Sequence, residues 1–509
     1  MPEGYDLVFS PTPTDAEKRL VHRIMHRRLP NASSVVTRLV RRGARPASLR
    51  MRIERRDAPL HYNLDLSLVG LAIDDVTGSY VSAYMDGDDL KLPCWSSREE
   101  QREVLETLIR HGCQPGREDL KTAISMANAV AVEVLLAHGV AVGSWALVPP
   151  RVNETPADEY CRKLLQIYQS LVERDASIIA VPQPVHQVHV ARLRLYPETF
   201  TEGYLDLVLD KGASVAQLPG NEGATLLSLA AMLGCRFVVA YLSKHLPIAQ
   251  IDAVADNGTA LAIAGMQIRK YAGADRQADY CHVARSLLRA GASIEQLLTP
   301  LNEDEREQRR LVVDEYEKAL NELPDQLTSA LNDALRPHRC LAEFVAFVLT
   351  TQAPHSHPAI PDQEASLLAW RIAAFCIDLE AAHAAATRVL RSDFPLGRRI
   401  NTAMAHFVTC AATKTASNRE VVGGVMEVRG EMVRLPPLQC FGVNEGDTTR
   451  ALGVREVIHK ARLDEAARYR LSGVAKGFNT DLGDDECQFQ WRQLGHLDKT
   501  GQFVSMGID

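Results

Sequence analysis

The sequence predicts an all-α protein, in which a series of helix-turn-helix units is followed by a mostly helical C-terminal domain. An apolar stripe that ends at a glycine recurs along the first 300 residues. Aromatic residues make up only 6% of the chain, and Ala and Leu are frequent, a composition that favours helices. From Leu301 onward the recurrence is lost, but helical periodicity continues. We therefore predict three regions, with residues 1–29 as a basic helical cap, 30–300 as the repeated units and 301–509 as the C-terminal domain.

The clearest unit is Gly220–Lys244, which reads GNEGATLLSLAAMLGCRFVVAYLSK. Small apolar residues from Thr225 to Ala231 predict a short first helix that ends at Gly234. A second apolar stripe follows and predicts a second helix. Neither helix of such a pair can bury its apolar face until a neighbouring unit stacks on it.

This stretch resembles an ankyrin repeat, whose pattern is G-x-T-P-L-H-x-A-A-x-x-G followed by V-V-x-L-L. A second good match is Asp256–Ala264, and Ala58–His61 is similar to the T-P-L-H core. The resemblance covers about half of the chain and implies a solenoid of helix pairs. It also implies that a protein partner binds the concave face formed by turn tips and first helices.

The apolar pattern of the second helix recurs along the chain, and each copy is followed by a turn residue. Intervals between turn residues 112, 139, 175 and 212 are 27, 36 and 37, scattered around the ~33 residues of an ankyrin unit. We expect Gly112, Gly139, Gly212 and Gly291 to adopt positive φ, because that backbone conformation is costly for a residue with a Cβ.

The region after residue 301 resembles no family that we recognise. Helices are predicted over Glu303–Leu323, Gln363–Leu379, Ala381–Arg391, Arg398–Lys414, Asn418–Val433 and Thr449–Leu471, and a more buried helix over Cys340–Thr350. Thr351–Asp362 is rich in Pro and polar residues and predicts a linker or long loop.

Composition and charge limit the classes of partner. The net charge of −7 disfavours nucleic acid, and no apolar run reaches the ~20 residues that a bilayer requires. Residues 1–60 carry a local charge of +7, for which a solvated face is the simpler explanation than a membrane or nucleic-acid surface. Ten scattered cysteines without a C-x-x-C pair indicate reduced thiols. We expect a cytoplasmic protein without membrane insertion, which is delivered into a host cell if it is a bacterial effector.

No metal, cofactor or catalytic residues are predicted, although the sequence contains several combinations of candidate ligands and nucleophiles. His338, Cys340, His355 and His357 are spaced unlike structural zinc fingers, and the same holds for His186 and His189. The acidic cluster Asp481–Glu486 departs from EF-hand spacing. Cys340 and Cys376 lie among apolar residues and are expected to be core thiols. The residues left for a Cys–His pair are Cys410 and Cys440, with His383, His406 or His459.

The leading hypothesis is a non-catalytic scaffold or adaptor that binds a protein partner. Its candidate contact residues are the turn tips of the two best units, Asn221, Glu222, Asp256 and Asn257, which turn chemistry alone also explains. One alternative is an arrangement similar to bacterial effectors, in which repeats capture a host protein and residues 301–509 act on it enzymatically. Another is a structural subunit whose C-terminal helices self-associate. An exposed apolar patch would favour self-association, and a cleft lined by Cys, His and carboxylates would favour the enzyme.

Overall fold

A computed structural model describes most of the chain and confirms that it is mostly helical. The described residues are 5–10, 12–29, 31–55, 64–73, 93–180, 187–209, 225–255, 257–297, 302–351, 362–413, 421, 425–428, 431–434, 437–446, 448–475, 477–478 and 487–508. They form two compact units, Met1–Tyr241 and Leu242–Asp509.

Most helices of the first unit coincide with the predicted stripes. They are α1 (Asp15–Met25), α2 (Ala32–Arg41), α3 (Leu68–Ile73), α4 (Arg98–Arg110), α5 (Arg117–Ser125), α6 (Ala129–Ala137), α7 (Asp158–Arg174), α8 (Ser177–Ala180), α9 (Gln187–Leu193), α10 (Glu198–Leu209) and α11 (Leu226–Leu233), with α12 (Arg236–His245) crossing into the second unit. Thr225 caps α11 by accepting the Ser228 N–H at 3.0 Å, and Gly234 ends that helix in the left-handed conformation. The sequence predicts that this helix ends at Gly234.

The turn glycines follow the expectation wherever the structure describes them. Gly43, Gly112, Gly139 and Gly291 have φ between +84° and +95°, each just after a helix, whereas Gly212 lies outside the described residues. In the helix pair α5–α6, the apolar residues Leu120, Ala123, Ala131 and Leu135 are completely buried. Helix pairs are therefore observed, while their stacking into one ankyrin solenoid over 30–300 stays a prediction.

The second unit is built on one very long helix. Its helices are α13 (Ile248–Ile251), α14 (Ala260–Lys270), α15 (Gln277–Arg289), α16 (Glu303–Thr351), α17 (Asp362–Cys376), α18 (Leu379–Ala386), α19 (Pro395–Thr413) and α20 (Val454–Tyr469). The two helices predicted over Glu303–Leu323 and Cys340–Thr350 are parts of α16, which continues through Pro324 and Pro337.

Short antiparallel sheets accompany the helices and were not predicted. In the first unit, β1 (Tyr5–Ser10), β2 (Arg50–Arg55) and β3 (Leu64–Ser67) form a sheet in that order. In the second, β4 (Val425–Val428) pairs with β5 (Glu431–Arg434), and a four-stranded sheet has the order β7-β6-β8-β9. Its strands are β6 (Gln439–Asn444), β7 (Thr449–Gly453), β8 (Leu494–Leu497) and β9 (Phe503–Ser505).

Two helix predictions in this region were wrong at strand segments. The predicted helix over Asn418–Val433 contains β4 and most of β5, whose sequences VMEV and EMVR flank Arg429 and Gly430. The helix predicted from Thr449 begins only at Val454, because Thr449–Gly453 pairs with β6.

Candidate functional site

The predicted contact residues at the turn tips are mostly beyond what the structure describes. Asn221, Glu222 and Asp256 lie outside the described residues. Asn257 is exposed in a tight turn, where the Gly258 N–H donates to the Ala255 carbonyl oxygen at 2.9 Å and the Ala255 N–H donates back at 3.1 Å. Turn formation therefore accounts for this residue, and its contact with a partner stays a prediction.

A different surface is presented by the helical hairpin of α16 and α17. Ala365, Ala369 and Ala373 recur every four residues along α17 and are fully buried. Residues four apart form one ridge of a helix, so this alanine ridge allows α17 to lie close against α16. The rings of His338 on α16 and Trp370 on α17 pack with centroids 5.1 Å apart.

The large apolar residues of this hairpin face away from that contact. Phe344 and Phe347 on α16 are 63% and 62% exposed, and Phe375 on α17 is 92% exposed. Leu367, Leu368 and Ile372 on α17 are also exposed. We call these six residues the hairpin face. They are six of the eleven exposed large hydrophobic side chains found among the described residues.

The exposure of residues on this hairpin shows that two predictions of burial were wrong. Cys340–Thr350 was expected to be a more buried helix, but Ala342 is the only residue of that segment that is buried, and Phe344 and Phe347 are exposed. Cys340 and Cys376 were expected to be core thiols, and both are exposed.

Opposite charges lie beside the apolar residues of the hairpin face. Glu343 is exposed on α16, next to Phe344 and one turn before Phe347. Arg371 is exposed on α17, between Leu368 and Phe375. One acidic and one basic side chain therefore lie among the exposed apolar residues of the hairpin.

The histidines and cysteines weighed as ligands are mostly separated. His338 is buried while Cys340 is exposed, and His355, His357, His186 and the acidic cluster Asp481–Glu486 lie outside the described residues. His189 Nδ1 is 3.0 Å from the hydroxyl of Tyr204.

One of the open Cys–His combinations is brought together in the second unit. A ring nitrogen of His406 and the sulfurs of Cys410 and Cys440 all lie within 4.8 Å of one another. The other two histidines are engaged elsewhere, since His383 Nε2 is 2.9 Å from Thr409 Oγ1 and His459 Nδ1 is 3.3 Å from an Arg462 nitrogen. The His406-x-x-x-Cys410 spacing is visible in the sequence, but the sequence alone does not show that the fold brings Cys440 close to these two residues.

Comparison with known proteins adds no family to this description. No protein-family model matches the chain, and no curated protein is similar to it. In the parts of the chain that the structure describes, no helix is both long enough and apolar enough to span a membrane.

Proposed function

We propose that this chain is a protein-interaction scaffold that assembles with a second copy of itself through the hairpin face. The observation that carries the proposal is the concentration of exposed apolar side chains on α16 and α17. Exposed apolar side chains concentrated in one part of a protein mark interaction sites, because leaving them in water is unfavourable.

The size of the hairpin face fits one side of a protein interface. An aromatic side chain buries 150–250 Å², so the exposed fractions of the three Phe residues correspond to roughly 400 Å². The three aliphatic residues add to that area. A standard interface buries about 800 Å² per partner, which the apolar centre and a polar rim would together supply.

A second copy is the occupant that the charge pattern favours. In a two-fold symmetric interface the same surface meets itself, so a residue on one copy contacts a different residue on the other, and the reverse contact also forms. Glu343 and Arg371 lie on opposite helices of the hairpin, so both could form ion pairs with Arg371 and Glu343 of the other copy. A purely acidic or purely basic face would instead repel its own copy.

In this proposal the helix pairs remain the surface for a protein partner of another kind, as the ankyrin resemblance implies. Joining two copies would present that surface twice. Two linked binding sites gain affinity from effective concentration without any new contact.

Sedimentation analysis of the purified full chain over a range of concentrations tests the proposal. We expect a monomer–dimer equilibrium for the natural sequence. Phe344→Glu and Phe375→Glu should each shift it to monomer, because a charge would be buried at the centre of the interface. Val254→Glu is the matched control, since Val254 is 65% exposed and lies outside the hairpin.

Reversing the charges of Glu343 and Arg371 distinguishes specific pairing of two copies from nonspecific association through an apolar surface. Glu343→Arg or Arg371→Glu alone should weaken the dimer, and the double variant should restore it. A natural chain that stays monomeric at every concentration overturns the proposal. Equal weakening by the Val254→Glu control, or a double variant weaker than both single variants, would also count against it.

A further inference from the structure

Helix α19 presents a histidine and a cysteine on one face. His406 and Cys410 are four residues apart, a spacing that brings two side chains together on a helix. Cys410 Sγ lies 3.4 Å from His406 Nε2. Cys410 is 9% exposed, and His406 is partly buried.

The second thiol comes from an irregular point in strand β6. Gln439 lies opposite Gly453 and Phe441 opposite Leu452, which makes Cys440 the extra residue of a β-bulge. A bulge interrupts the strict alternation of strand side chains and can re-aim one of them. Here Cys440 and Phe441 both approach His406, since the Cys440 carbonyl oxygen is 3.0 Å from His406 Nε2 and the Phe441 ring centroid is 4.9 Å from that of His406.

We propose that His406, Cys410 and Cys440 bind one divalent transition-metal ion of the Zn²⁺ type. Zinc binds thiolate at about 2.3 Å and imidazole at about 2.0–2.1 Å, so tetrahedral ligands lie roughly 3.6–3.8 Å apart. The three ligand atoms are already within 4.8 Å of one another, and small side-chain rotations close the difference. Soft sulfur donors with imidazole select zinc over magnesium or calcium, which prefer oxygen.

A further candidate ligand contacts this cluster from strand β8. The ring centroid of His496 is 4.8 Å from that of His406. His496 Nδ1 is buried and has no hydrogen-bond partner among the described residues, which is costly for a polar atom unless something else binds it. We assign His496 to the fourth position of the site, which would join α19, β6 and β8.

Binding has a defined proton balance. Each coordinating thiol must lose its proton, and His406 must coordinate through an unprotonated nitrogen. One ion that binds two neutral thiols and two neutral imidazoles therefore releases two protons, and its affinity falls as the solution is made more acidic. The hydrogen bond between His406 Nε2 and the Cys440 carbonyl is given up if Nε2 is the coordinating atom.

Cobalt titration of the reduced full-length chain is the first test. We expect one Co²⁺ per chain, a near-ultraviolet thiolate-to-cobalt band, tetrahedral visible bands, and displacement by Zn²⁺. Cys410→Ser and Cys440→Ser should each lower affinity more than about 100-fold, because even the loss of an outer partner of a metal ligand costs 10–100-fold. His496→Ala should weaken binding and alter the visible bands while keeping the thiolate band.

Cys281→Ser is the matched control, because Cys281 lies in the same unit and outside the cluster. Burial and the nearby Glu315 raise the pKa of its thiol to about 11, which makes it a poor metal ligand. This variant should keep the thiolate band and the natural affinity.

A second measurement needs no variant and so does not depend on how the variants fold. Zn²⁺ should protect Cys410 and Cys440 of the natural chain from alkylation, as read by mass spectrometry, and should leave the exposed Cys376 reactive. The proposal is overturned if no thiolate band appears and neither thiol is protected. Recovery of a Cys410–Cys440 disulfide from chain kept under reducing conditions would overturn it as well.

Discussion

The α5–α6 pair and the α16–α17 hairpin have the same kind of apolar sequence pattern, but their large apolar side chains lie in different environments. In α5–α6, Leu120 and Leu135 are completely buried between helices. In α16–α17, alanines make the contact between the helices, and phenylalanines such as Phe347 and Phe375 face outward. Periodicity thus predicts that a helix has an apolar stripe, but it does not say whether that stripe lies in a core or on an interface.

The largest expected effect comes from truncating a large apolar side chain to alanine in the buried pair and comparing it with the same change in the exposed hairpin. Leu135→Ala should lower the free energy of unfolding by about 2–5 kcal/mol, since it removes buried surface and leaves a cavity. Phe347→Ala is the matched variant, and at concentrations too low for assembly it should change that free energy by less than about 0.5 kcal/mol. Chemical denaturation of both variants measures the difference. A cost for Phe347→Ala as large as that for Leu135→Ala would mean that Phe347 belongs to the core.

The comparison also shows which features of the fold and of the Cys–His cluster can be predicted from the sequence. The α11 and α15 segments and the positive φ of Gly139 were predictable, because local periodicity and turn chemistry determine them. The exposure of Phe375 was not, because it depends on which ridge of α17 meets α16. The gathering of Cys440 with His406 depends on a bulge and on sheet pairing far along the chain, which single-sequence spacing does not contain.

A smaller effect is expected from two glycines that follow helices in the two units, Gly139 after α6 and Gly291 after α15. Gly139 has φ +84° and open space where a Cβ would lie, so Gly139→Ala should cost about 1–2 kcal/mol from the backbone alone. Gly291 has φ +90°, and a Cβ there would lie 2.8 Å from the Phe394 ring. Gly291→Ala should therefore cost more than Gly139→Ala.

The double variant Gly291→Ala with Phe394→Ala distinguishes the two causes. If the Phe394 ring causes part of the additional cost, Gly291→Ala should cost less in the Phe394→Ala background than in the natural chain, where the ring is present; the Cβ of residue 394 stays 3.1 Å from the added Cβ in both. Thermal unfolding of the natural chain, the three single variants and the double variant provides the comparison. Equal costs for both glycines in the natural background would show that Phe394 moves aside freely.

The smallest expected effects concern two buried glutamates, whose pKa values shift in opposite directions. Burial acts to raise the pKa of Glu17, but its carboxylate accepts backbone N–H groups from Thr14 at 2.7 Å and Arg45 at 2.9 Å, and its pKa is lowered overall. Burial raises the pKa of Glu465 despite a hydrogen bond of 2.5 Å from the Tyr316 hydroxyl. The charged form is thus favoured by folding at Glu17 and disfavoured at Glu465.

Opposite pH dependences follow from these shifts. Glu17 contributes stability above its unfolded pKa and loses it as pH falls through its lowered folded pKa, so Glu17→Gln should destabilise most at neutral pH and least in acid. Glu465 is favourable below its unfolded pKa, and that contribution is lost as pH rises through its raised folded pKa. Glu465→Gln should therefore stabilise at neutral pH, because its amide oxygen can still accept from Tyr316 without a buried charge. Urea denaturation of both variants at neutral and acidic pH measures the two slopes, and slopes of the same sign would contradict the assignment of these two environments.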